Sequence, residues 1–178
     1  SGLVPYEIGL THGKKYILFH LETLAKEDFT FGASICYEDT VPSLIREFKR
    51  RGADFMLIIT NDGWFRNSPE LDQHLAIMVF RSVENRMCMV RAANTGISSF
   101  VAPDGTIYAK LTGPQGKYRE IHGILTNRIK FIQGYCSFYT IYGDYFSIAC
   151  MIALGSMLFI AALKGTFPLH FINVHRII

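Results

Sequence analysis

The sequence has few cysteines, little excess charge of either sign, and one long stretch with no charge at all. A net charge of +3 without a basic block does not predict nucleic-acid binding. With 49% hydrophobic and 19% charged residues, a disordered chain, a collagen and a coiled coil are excluded. No cysteine pair has the CxxC spacing of zinc or redox sites, and a disulfide framework is not expected in this chain of 178 residues; the cysteines are Cys36, Cys88, Cys136 and Cys150.

The stretch without charge runs from Tyr145 to Leu163. As a helix it would reach roughly 28 Å, close to the ~30 Å hydrocarbon core of a bilayer. Asp144 and Lys164 bound the stretch, and Tyr142 stands at its entry as in an interfacial aromatic belt. A buried core helix is the alternative, but the run is too long and too evenly apolar for an ordinary amphipathic helix. We therefore predict one transmembrane helix at residues 144–164.

The charges are distributed unequally about this predicted helix. All 15 acidic residues lie at or before Asp144, whereas the end of the chain carries only Lys164 and Arg176. The positive-inside rule then predicts a short cytoplasmic tail at 165–178 and a domain at 1–143 on the outer side of the membrane. Because the first residues, SGLVPYEIGL, do not form a signal peptide, we expect the chain to be the C-terminal piece of a longer membrane protein.

Strand and helix patterns alternate through residues 1–143. The buried apolar runs predict strands, and runs with helical spacing predict helices. Thr40 is the predicted cap of the first helix, Gly52 is its end, and Pro103-Asp104-Gly105 predicts a hairpin turn. This order predicts an α/β fold with a largely buried sheet. The predicted strands are Phe29–Ile35, Asp54–Thr60, Met87–Ala93, Ile97–Ala102, Thr106–Leu111 and Ile121–Thr126; the predicted helices are Val41–Arg51 and Glu70–Arg86.

Three turns follow the carboxyl ends of predicted strands, where ligand sites of α/β folds collect. They are Cys36–Asp39, Asn61–Phe65 and Ala93–Gly96. Cys36 lies between a strand and a helix, where the helix dipole and backbone N–H groups stabilise a thiolate and an oxyanion. Position alone leaves two roles open for Cys36, a nucleophile or a buried structural residue.

Several motifs together resemble the nitrilase, or carbon–nitrogen hydrolase, superfamily. The sequence has SICYED around Cys36, NDGWF at Asn61–Phe65 and AANTGISSFVAPDG further on, with LVPY near its start. Within the superfamily these motifs and the terminal apolar helix most resemble the apolipoprotein N-acyltransferase family. The resemblance implies a partial nitrilase-like αββα sandwich followed by one C-terminal transmembrane helix. It also implies a multi-pass parent protein in the bacterial inner membrane, with the catalytic domain on the periplasmic side.

The resemblance further implies an acyl transfer that needs no cofactor and no metal. A cysteine thiolate takes an acyl chain from a phospholipid as a thioester, and the amine of a diacylglyceryl-cysteine lipoprotein then accepts it. A thioester intermediate divides one difficult transfer into two easier steps. The implied partners are thus a phospholipid donor, a diacylated lipoprotein acceptor and the membrane.

The resemblance assigns roles residue by residue. Cys36 matches the nucleophile, and Tyr37 and Glu38 match the two residues after it. Glu38 assists the reaction or caps nearby N–H groups. Glu7 is a candidate for the second family glutamate, although LVPYE is one residue shorter than the family motif. The candidate substrate-binding residues are Trp64, with core packing as the alternative, and Asn61 and Asn94, with ordering of the turns as the alternative.

The family base glutamate and catalytic lysine lie before the LVP motif, and Lys14 and Lys15 do not match them. We therefore expect these 178 residues to be inactive alone. Three other functions stay open. One is a membrane-anchored nitrilase-type amidase whose thioester is resolved by water, and another is a domain that only binds lipid. The third is a Cys–His hydrolase using His74, which we otherwise expect to be a polar pocket-wall or surface residue.

Overall fold

The computed structural model describes residues 13–132 and 134–164. Its six strands form one mixed sheet in chain order, with β2, β3 and β4 parallel and every other neighbouring pair antiparallel. The strands are β1 (Leu18–Glu22), β2 (Asp28–Ile35), β3 (Phe55–Asn61), β4 (Cys88–Asn94), β5 (Ser99–Val101) and β6 (Ile107–Lys110). The helices are α1 (Pro42–Arg50), α2 (Glu70–Asn85), α3 (Phe138–Tyr142) and α4 (Tyr145–Leu163).

The residues at the two ends of helix α1 show which sequence signals determine where it begins and ends. Pro42 occupies its first turn, where a missing N–H loses no hydrogen bond, and Gly52 follows its end with φ +100°. The predicted Thr40 cap is wrong, because Val41 holds the cap position without a side-chain bond. Thr40 belongs instead to a short 3₁₀ turn, Cys36–Thr40, in which its hydroxyl donates to the carbonyl of Tyr37 at 2.7 Å.

Two strand predictions differ from the structure. Strand β1 was not predicted, although three of its five residues are apolar; it is an exposed edge strand that pairs antiparallel with β2. The predicted strand Ile121–Thr126 is wrong, since these residues form neither helix nor strand. In this region the side chain of Ile121 lies beside Gly113, and that of Leu111 lies beside Gly123.

The hydrophobic core lies between one face of the sheet and the helices α1 and α2. Gly32 of β2 brings the two layers into close contact, since a Cβ there would lie 2.5 Å from Phe48 Cδ1. The buried apolar side chains include Ile45, Phe48, Met56, Ile58, Leu71, Leu75, Met78, Met89, Ile97 and Val101. This packing fixes the directions of β2, β3 and β4, on whose ends the candidate site depends.

The opposite face of the sheet is apolar and partly exposed. Phe31 stacks between Phe19 and Phe55, with ring centroids 5.2 and 5.1 Å apart. On the same face, Ile35 is 68% exposed and Ile59 51% exposed. The described residues thus form one sheet with α1 and α2 packed on one face and an apolar, partly exposed opposite face.

The described chain divides into two compact units after Ile141. The second contains α4, whose 19 residues are long and apolar enough to cross a membrane. The end of the first unit is held by polar contacts. Arg46 donates to the carbonyl oxygens of Tyr139 and Thr140, both at 3.0 Å, and of Ile141 at 2.8 Å. The last residues before the boundary are thus fixed on helix α1.

Candidate active site

The three predicted turns meet at one edge of the sheet. Strands β2, β3 and β4 run parallel, with Ile35 beside Ile59 and Asn61 beside Asn94. Their carboxyl ends therefore lie side by side, as expected for a ligand site in an α/β fold. We call the segments that follow them the cysteine turn (Cys36–Thr40), the second loop (Asn61–Arg66) and the third loop (Asn94–Gly96).

Each segment contains a non-glycine residue with positive φ. Cys36 has φ +54°, Arg66 has φ +50° and the β-branched Thr95 has φ +62°. This conformation is uncommon for residues with a Cβ, and such strain concentrates at functional sites. The backbone of Cys36 is therefore held in a sharp strand-to-helix turn, with its side chain partly exposed. This conformation is the structural feature that most favours a nucleophile over a structural cysteine.

Glu38 caps the turn in which it lies. Its Oε2 accepts the N–H of Ile35 at 2.7 Å, so one carboxylate oxygen is engaged with the backbone. The Glu38 side chain also lines a cleft of about 440 Å³ with residues that include Tyr16, Ile17 and Leu44. The capping role left open by the sequence is therefore present in the structure, beside a cleft large enough for part of a ligand.

Tyr37 connects the cysteine turn to helix α2. Its hydroxyl donates to Glu70 Oε1 at 2.7 Å, and its ring stacks on that of His74 with centroids 4.8 Å apart. The hydrogen bond to Glu70 is the main cause that raises the pKa of Tyr37 to about 12. Tyr37 is therefore a neutral phenol at physiological pH, held on both its ring and its hydroxyl.

The two asparagines join the second and third loops. Asn94 Nδ2 donates to Asn61 Oδ1 at 3.2 Å, and the same oxygen accepts the N–H of Gly63 at 3.2 Å. These contacts support the turn-ordering alternative. Trp64 is 82% exposed, so the core-packing alternative is wrong for this residue. Its indole lies on the surface of the second loop, available to a ligand.

Four charged side chains form a closed ring beneath the three segments. His74 bonds Asp39 through Nε2 at 2.9 Å and Asp62 through Nδ1 at 3.1 Å. Arg91 donates to the same two carboxylates, through Nη1 to Asp39 at 3.1 Å and through Nη2 to Asp62 at 2.8 Å. All four residues are at most 2% exposed. The expectation of a pocket-wall or surface position for His74 is therefore wrong.

Opposing charges determine how the ring titrates. Burial alone would lower the pKa of His74, but its hydrogen bonds to Asp39 and Asp62 raise it to about 9. Arg91, whose Nη2 lies 2.8 Å from His74 Nδ1, opposes this rise. Burial would raise the pKa of Asp62, but the His74 hydrogen bond and the Arg91 charge lower it to about 2. At neutral pH Asp62 is thus a carboxylate and His74 a cation.

Gly96 allows the third loop to lie against this ring. A Cβ at Gly96 would be 2.1 Å from Asp62 Oδ2 and 2.9 Å from the Cβ of Ala93. Both neighbours are fixed, one by the ring and the other by strand β4. The glycine of the AANTG motif therefore serves close packing on a buried carboxylate.

The ring was not predicted from the sequence, although one signal was present. Arg91 interrupts an otherwise apolar strand, and a buried charge requires a partner. Glu7 lies outside the described residues. Within residues 13–132 and 134–164, no group of three or more His, Cys, Asp or Glu side chains is arranged to hold a metal ion.

Residues 10–122 match the family described as carbon-nitrogen hydrolase. The match covers more than half of the chain and includes all three segments and the charged ring. The chain belongs to the carbon–nitrogen hydrolase family. Its mixed sheet is thus that of a nitrilase-like α/β domain.

Two relatives are apolipoprotein N-acyltransferases. The chain is 40% identical over 120 residues to that of Geobacter metallireducens, covering 67% of this chain and 22% of the relative. It is 30% identical over 167 residues to that of Thermotoga maritima, covering 92% of this chain and 31% of the relative. The chain therefore spans about a fifth to a third of the length of these relatives.

A solved structure of the same superfamily aligns with the domain. The chain is 24% identical to Nit3 of Saccharomyces cerevisiae, a member of branch 10 of the nitrilase superfamily, with a TM-score of 0.46. The alignment covers 62% of this chain and 40% of that chain.

Proposed function

We propose that this chain is the C-terminal part of an N-acyltransferase that acylates lipoproteins, with Cys36 as its nucleophile. The observation that carries the proposal is the backbone of Cys36, held at φ +54° at the end of β2 in a carbon–nitrogen hydrolase domain. The similarity to two apolipoprotein N-acyltransferases supports acyl transfer as the reaction.

The proposed reaction has two steps. The Cys36 thiolate attacks an ester carbonyl of a phospholipid, and the tetrahedral intermediate collapses to a thioester while the lysophospholipid leaves as an alcohol after taking up a proton. The free amine of a diacylglyceryl-cysteine then attacks the thioester. The amide forms, the C–S bond breaks, the amine loses its proton, and the thiolate is regenerated.

The neighbouring side chains have distinct proposed roles. Tyr37 and Glu38 hold the cysteine turn through Glu70, His74 and the N–H of Ile35. Trp64, with its exposed ring, contacts substrate from the second loop, and Asn61 and Asn94 order the loops around it. We place the base glutamate and the lysine of the family outside these 178 residues, with Glu7 as a candidate for the second glutamate.

Both proposed substrates are lipids, which explains why a catalytic domain would be linked to α4. We propose that α4 spans the inner membrane of a bacterium and that residues 165–178 are cytoplasmic. The catalytic domain would then lie on the periplasmic side, where the acyl chains of the outer leaflet are within reach. The apolar composition of α4 and its exposed side chains support this arrangement.

The test uses the full-length parent protein in vesicles with a phospholipid labelled in its acyl chain. We expect label to reach the amine of a diacylglyceryl-cysteine peptide, and the Cys36→Ala variant to transfer none. Release of free fatty acid without peptide labelling would instead indicate a hydrolase. Turnover of small amides, with no use of phospholipid, would indicate a membrane-anchored amidase.

A further inference from the structure

The charged ring takes one residue from each of four parts of the fold. Asp39 belongs to the cysteine turn, Asp62 to the second loop, His74 to α2 and Arg91 to β4. Thr60 completes the set, since its hydroxyl donates to Asp62 Oδ1 at 2.7 Å. Every carboxylate oxygen of the ring thus has a partner. The ring joins the cysteine turn, the second loop, α2 and β4 at one buried point.

Two residues of the cysteine turn contact the same imidazole. The ring of Tyr37, directly after Cys36, stacks on His74. Asp39, three positions after Cys36, accepts the hydrogen bond from His74 Nε2. The segment that carries the nucleophile is therefore held at two points by one fully buried side chain, which Asp62 holds in turn.

Stability alone does not explain such a ring. Burying four ionised groups has a large desolvation penalty, and apolar side chains of similar volume often stabilise a core as well or better. Apolar packing does not fix the orientation of side chains, whereas hydrogen bonds between charged groups fix both distance and angle. The strained φ of Cys36 requires surroundings that impose it, and the ring contacts Tyr37 and Asp39 of the same turn.

We propose that His74, as the centre of this ring, is a positioning residue that sets the Cys36 thiolate for attack on the acyl donor. The proposal rests on the proposed function and adds a component to it. His74 acts through Tyr37 and Asp39 rather than as a base, since both of its nitrogens are bound to buried carboxylates.

The first experiment measures single-turnover acylation of Cys36 in the full-length protein, with labelled phospholipid and no acceptor. His74→Gln should slow the maximal rate on the order of 100-fold, since a displacement of about 1 Å has that effect, with little change in half-saturating phospholipid. Asp72→Asn is the matched control, because it removes a carboxylate of the same helix that pairs with Arg119 instead. This control should acylate at the wild-type rate.

A second variant covers the case in which His74→Gln does not fold. The double variant Asp39→Asn/His74→Gln removes one negative and one positive charge and retains the pair of Arg91 with Asp62. Its melting temperature shows whether it folds, and the folded double variant should show the same loss of rate. A wild-type rate in a folded variant would overturn the proposal, and so would a loss confined to phospholipid affinity.

Measured well below the melting temperature, the pH dependence of the acylation rate supplies a readout that a purely structural role would not alter. The groups that face His74 are Asp39, Asp62, Arg91 and the ring of Tyr37. Because the carboxylates raise the pKa of His74 to about 9, the ratio of wild-type to double-variant rates should fall as pH rises through about 9. The titration of Cys36 itself cancels in this ratio, and a constant ratio would contradict the proposal.

Alkylation of Cys36 by iodoacetamide, followed by peptide mass spectrometry, separates the two proposals because it requires no lipid. Positioning predicts that alkylation slows about tenfold in His74→Gln and not in Asp72→Asn. If alkylation slows in His74→Gln but no phospholipid acylates the protein, the positioning role is retained and the acyltransferase function is rejected. Equal alkylation of all three proteins would reject the positioning role alone.

Discussion

Arg91 Nη1 donates to Asp39 Oδ2 at 3.1 Å, which ties strand β4 to the turn that carries Cys36. The two residues are 52 positions apart in the sequence, and both are buried. This contact and its counterpart from Nη2 to Asp62 make Arg91 the link between the sheet and two of the three segments at its edge.

Replacing Arg91 by leucine should greatly lower the free energy of unfolding of the domain. The change leaves two buried carboxylates with only His74 between them, and removing one partner of a buried ion pair lowers the free energy of unfolding by about 3–5 kcal/mol. Urea unfolding, followed by near-UV circular dichroism, measures this loss. Arg119→Gln, which removes a partly exposed ion pair with Asp72, should lower it by only about 0–1 kcal/mol. Equal losses in the two variants would contradict the assigned role of Arg91.

Stability should depend on pH in opposite ways through His74 and Asp62. The pKa of His74 is raised from 6.5 to about 9, so its contribution is complete below pH 6.5 and lost as pH rises through 9. The pKa of Asp62 is lowered from 3.8 to about 2, so its contribution is complete above pH 3.8 and lost as pH falls through 2. Melting temperature against pH should show a plateau at about pH 4 to 6.5. The double variant Asp39→Asn/His74→Gln should lack the alkaline decline from His74, and an unchanged decline would refute this assignment.

A single methyl group on Gly96 should disturb the site. The Cβ of Gly96→Ala would lie 2.1 Å from Asp62 Oδ2, so the third loop must move away from the ring. We expect a lower melting temperature and slower acylation of Cys36. Gly13→Ala is the matched control, because a Cβ at Gly13 meets no atom of the described residues within 4 Å, and it should alter neither quantity. A Gly96→Ala protein that melts and acylates as the wild type does would show that this close contact is unimportant.

Replacing Arg46 by glutamine should loosen the residues that precede the apolar helix. The guanidinium of Arg46 donates to three successive carbonyls at the end of the first compact unit, and a glutamine is too short to reach them all. Limited digestion with chymotrypsin should then cleave faster at Tyr139 and Tyr142. Arg50→Gln removes a charge of the same helix whose ion pair, among the described residues, is with Glu47, and it should leave the cleavage rate unchanged.

The sequence predicted the parallel strands β2, β3 and β4 because each is an apolar run bounded by turn residues. It also placed the three turns at the carboxyl ends of predicted strands, where ligand sites of α/β folds collect. It did not predict β1, whose apolar residues Leu18, Phe19 and Leu21 do not alternate regularly with polar ones. Hydrophobic periodicity predicts which residues of an element are buried, and an exposed edge strand has few buried residues.

The ring could be anticipated only in part. A charged residue within a buried strand indicates that Arg91 has a partner, but its partners Asp39 and Asp62 lie 52 and 29 positions away. Their identity follows from the tertiary structure, not from local spacing. The positive φ of Cys36 is likewise imposed by packing, because a cysteine has no intrinsic preference for this conformation.

The most direct test of the account asks whether Cys36 carries an acyl chain. The full-length protein is incubated with acyl-labelled phospholipid and no acceptor, and its peptides are analysed by mass spectrometry. The account predicts label on the peptide that contains Cys36, released by hydroxylamine and absent from Cys36→Ala. Label that persists in a folded Cys36→Ala protein, or a folded wild-type protein that no phospholipid labels, would contradict it.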